Sequence, residues 1–433
     1  MTAAPAARAA PIPVDRSLAR QIIATAAGLL FANGQTTERI VAAAEGLGDV
    51  LGHPASLLPR WGEIALRVGS GPHAEFELIP AVPSGVDMGK VAAISGVIDR
   101  LCVGEIAPEQ ACPALADAER TPARSTVRFA VMAGAAATAL GVIFGAAHAL
   151  SLALIGLSAV LGALLRRGLA RVSSNAFVQP FAAALLAGVI GGVAARLQLG
   201  SSQRLIALCP CMVRVPGPHL LNGAVDLARG RIPLGSARLA FAGLIVTAIC
   251  AGLLGGLELI GVTLPPGGSS RTAPLVADVV AAGVAVAAYG TFYSMPWRML
   301  PAPVAIGMLA HATRWLLTSV AGADAAAGAF AACLLAGMLA SLAADRLRLP
   351  FAGMGFASVV SLIPGVLVFR MAGGLLQLAH SPASAPVDLP ATVLADGAEA
   401  AMILLAMTLG LIVPRMLLEH LSTAERAKSR AQP

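Results

Sequence analysis

Ten stretches between residues 129 and 416 are apolar over about 20 residues each, the length a helix needs to cross the hydrocarbon core of a bilayer. They run over 129–147, 149–165, 177–197, 204–224, 238–262, 274–295, 299–320, 323–343, 350–379 and 393–416. In lipid every backbone polar group must find a partner inside the protein, and continuous segments of this length meet that demand only as helices. The chain is therefore expected to be a polytopic α-helical membrane protein. Only 12% of its residues are charged, about half the usual share of a soluble domain.

The charges divide the chain. Residues 1–128 hold 13 Asp/Glu and 11 Lys/Arg, an ordinary water-soluble balance, whereas residues 129–433 hold 10 and 19. Alternate connections between the apolar segments carry Arg166, Arg167, Arg171, Arg229, Arg231, Arg238, Arg298, Arg346 and Arg348; the opposite set carries Arg196, Arg204 and Arg271. Cytoplasmic loops are the ones enriched in Lys and Arg. With Arg120, Arg124 and Arg128 before the first segment and Arg426, Lys428 and Arg430 after the last, both termini are expected in the cytoplasm. The basic excess speaks of orientation, not nucleic acid. No signal-peptide core precedes the first domain. The expected layout is a disordered leader over 1–14, a cytoplasmic α+β domain over 15–122, five membrane helices over 127–265, five more over 272–420, and a basic cytoplasmic tail over 421–433.

The two sets of five are related. "AALLAGVIGGVAARLQL" (183–199) recurs as "ACLLAGMLASLAADRLRL" (332–349), and "VRVPGPHLLNGAVDL" (213–227) as "SLIPGVLVFRMAGGL" (361–375), at offsets of 149 and 148. Because five is odd, the second copy enters the membrane inverted, a recurring design of secondary transporters. Each copy carries a Pro-Gly pair. Proline removes a donor and clashes with the preceding turn, and glycine permits unusual backbone angles. The helices are expected to open at Pro216-Gly217 and Pro364-Gly365 around a small polar cavity.

Few polar groups stand within the apolar segments. Arg370 is about 14 Å deep by helical rise, and Asn222 is its counterpart in the repeat. A guanidinium there suits a substrate carboxylate, or a structural acidic partner. Arg314 is nearer its segment end and is expected to snorkel. Asp278, Asp396 and Glu399 lie toward the outer ends, the last two on one helix face, and suit proton pick-up; His219 could relay protons. Cys209 and Cys211, as "CPC", lack further ligands at metal spacing and read as small buried residues. No metal site or cofactor is expected.

Residues 17–122 read as a small α+β unit: two helices interrupted at Asn33-Gly34, the second capped at Thr36 or Thr37, then strand-like runs "ASLLPRWGEIALRVG" and "HAEFELIPAV", then two helices. The stretches "LLFANGQTTERIVAAAEGLG" and "IPAVPSGVDMGKVAAISGVIDRLCVGEIAPEQA" resemble the cytoplasmic domain of the threonine/serine exporter family, and the Pro-Gly segments resemble its membrane domain. The resemblance spans about residues 15–420. It implies proton-driven export of small hydroxy amino acids across a bacterial inner membrane. Split relatives point to dicarboxylates such as succinate as the alternative substrate.

A membrane-anchored hydrolase using the N-terminal domain is the rival class. It would need a nucleophile and base converging there, but no G-x-S-x-G, no H-E-x-x-H and no Ser/His/Asp set presents itself. No Walker A motif occurs either, which argues against an ATP-driven pump on this chain. Catalytic residues are not expected. The expected partners are a small-molecule substrate, protons and the lipid bilayer. The many small residues of the spans also permit contacts within a homo-oligomer.

Overall fold

The computed structural model describes residues 12, 14–121, 125–199, 202–263, 273–347, 351–380 and 385–431. Most of the expected leader lies outside these residues, as do Arg124, Arg271, Arg348 and the last two residues of the tail. The chain forms two compact units. One comprises Met1–Ala123, Val225–Arg238 and Tyr293–Met295; the other comprises Arg124–Ala224, Leu239–Phe292 and Pro296–Pro433.

In the first unit, α1 (Arg16–Ala32) starts where the Asp15 carboxylate accepts the Ser17 N–H at 3.1 Å. It stops at Asn33, because Gly34 turns the chain at φ +85°. Helix α2 (Thr37–Val50) has Thr36 at its N-cap, as the sequence suggests, but the hydroxyl makes no capping bond. The Thr36 N–H instead donates to the Gln35 side chain at 2.9 Å.

The first strand-like run is two strands rather than one. Gly62, at φ +93°, reverses the chain after Trp61 and splits the run into β1 (Ala55–Arg60) and β2 (Gly62–Val68). With β3 (Glu75–Ala81) they make an antiparallel sheet of order β1-β2-β3. Ile64, Leu66 and Val68 alternate onto its buried face. Helices α3 (Met88–Cys102) and α4 (Pro108–Glu119) complete the layer; Val91, Ile94, Ile98 and Leu101 form the apolar stripe of α3 at helical spacing.

Two segments from far along the chain belong to this unit. Glu38 of α2 holds Arg229 at 3.1 Å and also bonds Arg231. Asp226 and Arg238, each 1% exposed, pair at 3.3 Å, and the Arg238 guanidinium lies 5.6 Å from the Phe31 ring. Such a desolvated pair holds only while both charges remain. The Met88 N–H donates to the Tyr293 carbonyl at 2.7 Å.

The second unit is helical. Among the described residues seven helices are long and apolar enough to cross a membrane: α5 (Thr126–Ile143), α6 (Ala149–Leu169), α7 (Val178–Arg196), α10 (Ile232–Ile260), α11 (Leu275–Phe292), α13 (Ala325–Leu347) and α16 (Leu389–Ala431). Helices α14 (Phe351–Val359) and α15 (Gly365–His380) form a pair bent by 52°, which brings the number to eight if the pair is one span. Shorter helices α8 (Gln203–Met212), α9 (Gly217–Ala228) and α12 (Pro301–Trp315) account for the remaining apolar stretches. This is a polytopic helical membrane protein. Helix α16 continues through the expected tail to Ala431.

The recurrent "LLAG" has a packing reason. Gly188 of α7 meets the backbone of α10 at Leu253 and Gly256; its counterpart Gly337 of α13 meets α16 at Gly410 and Leu411. The reciprocal glycines match as well. A Cβ on Gly252 would stand 3.0 Å from the Leu185 nitrogen, and one on Gly410 2.9 Å from the Leu334 nitrogen. Small residues let membrane helices approach to backbone contact, where dispersion replaces the missing hydrophobic drive.

Candidate functional site

Both Pro-Gly pairs interrupt their helices. Helix α8 ends at Met212 and α9 begins at Gly217. Helix α14 ends at Val359, a single 3-10 turn covers Val360–Leu362, and α15 begins at Gly365. The carbonyls released at such breaks need partners at membrane depth. The Met212 carbonyl has one, accepting the Tyr289 hydroxyl from α11 at 3.3 Å.

The two breaks share a cavity of about 270 Å³. Val215 and Leu220 line it from the first break; Ile363, Pro364, Gly365 and Val368 line it from the second. The fifth helix of each set closes it, α10 through Gly243 and Val246, α16 through Gly397, Ala400, Ala401 and Leu404. The expectation of a polar cavity needs correcting: every lining side chain is apolar or glycine. The first N–H groups of a helix have no intrahelical acceptor and carry the positive end of its dipole, and α9 and α15 both start at the breaks.

Of the residues singled out in the sequence, Pro364 and Gly365 are in the lining, whereas Pro216, Gly217, Asn222 and Arg370 are not. Asn222 and His219 are buried on α9, with the His219 ring edge-on to Phe241 at 5.2 Å. Arg370 has an acidic partner, Asp396 of α16, at 3.0 Å. Their chain neighbours Phe369, Met371 and Gly397 do line the cavity, so the pair borders it. Glu399 is half-buried one turn further along α16.

A second constellation gathers around Asp278, which is 1% exposed on the first turn of α11. Its carboxylate takes the Arg314 guanidinium at 3.1 Å, so Arg314 is ion-paired rather than snorkelled. Its other oxygen is 2.9 Å from Nδ1 of His311 on α12. Nε2 of that fully buried histidine is 2.8 Å from the hydroxyl of Ser361, three residues before Pro364. In the tautomer whose Nδ1–H donates to the Asp278 carboxylate, Nε2 accepts from the Ser361 hydroxyl. Sequence reasoning missed His311 and Ser361. The signal for His311 was available, since an ionisable group inside an apolar segment is a functional candidate by default.

Cys209 and Cys211 are fully buried. Among the described residues no group of His, Cys, Asp and Glu is placed to hold a metal ion.

Interrupted helices sharing a cavity, with ionisable groups buried beside it, are the architecture of a membrane transporter. The chain belongs to the threonine/serine exporter family. Residues 21–260 match the family model described as "Putative threonine/serine exporter" and residues 278–417 match "Threonine/Serine exporter, ThrE". The solute class it exports is thus the small hydroxy amino acids. No curated protein and no solved structure matches the chain.

Proposed function

We propose that this protein is a secondary transporter and not an enzyme, moving threonine and serine out of the cytoplasm in exchange for protons. Ten crossings form two inverted five-helix repeats, 127–265 and 272–420. Residues 15–122 form a cytoplasmic domain, and both termini lie on the cytoplasmic side of a bacterial inner membrane. The observation that carries this reading is that residues at both helix breaks, Val215 at the first and Pro364-Gly365 at the second, line one cavity. The helix starts support the repeat: α5 at 126 answers to α11 at 275, and α9 at 217 to α15 at 365, keeping the sequence offsets.

In this mechanism the solute sits between the breaks. The α9 and α15 N-termini favour its carboxylate. Rocking of one repeat against the other exposes the cavity alternately. Arg370 exchanges Asp396 for the solute carboxylate, leaving Asp396, and Glu399 beside it, to take a proton. Asp278, His311 and Ser361 form a proton relay: a proton at Nε2 makes the imidazole donate where it had accepted, so Ser361 must turn at the very start of the second break.

Everted membrane vesicles test the proposal. Threonine uptake should rise when a proton gradient is imposed and should be competed by serine more strongly than by succinate. Flux indifferent to the gradient would remove the coupling, and succinate preferred over serine would replace the substrate.

A further inference from the structure

We infer that Arg166 and Arg214 form a separate carboxylate-binding site, a waiting position for the solute beside the first broken helix. The inference rests on the transporter reading above for the identity of its ligand.

Arg214 lies in the connection between α8 and α9 and is 9% exposed. One of its nitrogens donates to the Pro210 carbonyl at 2.6 Å. Its guanidinium is seated against α6 at Gly162, where a Cβ would collide with Nη2. Arg166, one turn along α6, lines the same small pocket between α6 and α8, together with Phe129, Val213 and Phe292. Its buried Nε has no hydrogen-bond partner. Both guanidinium-bearing side chains thus face one small pocket.

Among the described residues no carboxylate pairs with either. Among the described residues the deep cations elsewhere are matched: Arg370 by Asp396, Arg314 by Asp278, Arg238 by Asp226. Arg166 and Arg214 have no ion pair. Two like charges facing one pocket, one of them buried, are unfavourable unless an anion joins them. Paired guanidinium forks match the planar two-oxygen face of a carboxylate.

The pocket that both arginines line is about 10 Å³, water-sized, so a carboxylate enters it as the partly exposed Arg166 side chain swings aside. Position gives the site its use. Val213 lines this pocket and Val215 lines the 270 Å³ cavity, with Arg214 between them. On the proposed topology Arg166 marks the cytoplasmic end of α6, so a solute arriving there is one residue from the break.

Calorimetric titration of the full-length protein in lipid nanodiscs tests this, with threonine, with threoninamide, which lacks the carboxylate, and with acetate, which retains little else. Threonine and acetate should bind the wild type, with threoninamide at least tenfold weaker. Arg214→Gln should weaken threonine and acetate at least tenfold without lowering the melting temperature, and Arg166→Gln at least threefold. The second variant decides the matter if the first does not fold. Acetate and threonine bound equally by wild type and the folded variants would overturn the site. Threonine counterflow in wild-type proteoliposomes separates the two ideas: flux with arginine-independent binding leaves the exporter and removes the site. Arginine-dependent acetate binding without threonine flux does the reverse.

Discussion

Nε2 of His311 lies 2.8 Å from the Ser361 hydroxyl, which joins a buried Asp–His pair to the turn that opens the second broken helix. If that chain carries the coupling proton, His311→Gln should uncouple the transporter rather than disable it. Threonine counterflow, which needs no proton gradient, should persist at roughly half the wild-type rate or more. Gradient-driven uptake into everted vesicles should fall by about 100-fold or more, the lower end of what a positioned proton-transferring side chain contributes to a reaction step. Equal loss of both activities would instead make His311 structural.

The breaks themselves were readable in the sequence, because Pro216 and Pro364 lack the N–H a helix needs and the bilayer fixes how long a continuous helix must be. The partners of the buried charges were not. Arg370 finds Asp396 on the next helix, and Asp278 collects groups from 33, 36 and, through His311, 83 positions away. Nothing in local spacing encodes those meetings. Arg229, Arg231 and Arg238 read as loop charges that set orientation, yet they also hold Glu38 and Asp226 within the first unit. The cavity's apolar lining is not legible in the sequence, because its walls are the same aliphatic, aromatic and glycine residues that make up the apolar background.

The Arg370–Asp396 pair should separate stability from transport. Asp396→Asn leaves a largely buried guanidinium without its counter-charge and should cost about 1–3 kcal/mol, less than a fully buried pair because Arg370 keeps some contact with solvent. The double variant Arg370→Gln/Asp396→Asn should recover most of that loss in thermal melting. Export should stay abolished in the double variant, since no guanidinium remains for the solute carboxylate. Recovery of export together with stability would reduce the pair to a structural one.

Helix contact at the repeated glycines gives a symmetric prediction. Gly252→Ala and Gly410→Ala each place a methyl against the backbone of α7 or α13, and overpacking of this kind costs about 1–3 kcal/mol. Gly168→Ala, on α6 with open space around it, should be neutral or slightly stabilising, since alanine is the better helix former. Melting curves in detergent check this: losses of similar size at 252 and 410, beside no loss at 168, are expected. A loss at one glycine alone would break the correspondence between α10 and α16.

The first unit offers a test of its own stability. Asp226 and Arg238 are each 1% exposed and face one another at 3.3 Å, while Glu38 lies nearer solvent between Arg229 and Arg231. Asp226→Asn leaves Arg238 buried and uncompensated, which should cost about 3–5 kcal/mol. Glu38→Gln, in a wetter setting, should cost about 1 kcal/mol or less. Limited proteolysis of the full-length protein resolves the difference, because protease reaches residues 15–121 only when this unit opens. Cleavage there should accelerate strongly in Asp226→Asn and little in Glu38→Gln. The reverse order would mean that the solvent-side arginines, not the buried pair, hold residues 225–238 to the α+β layer.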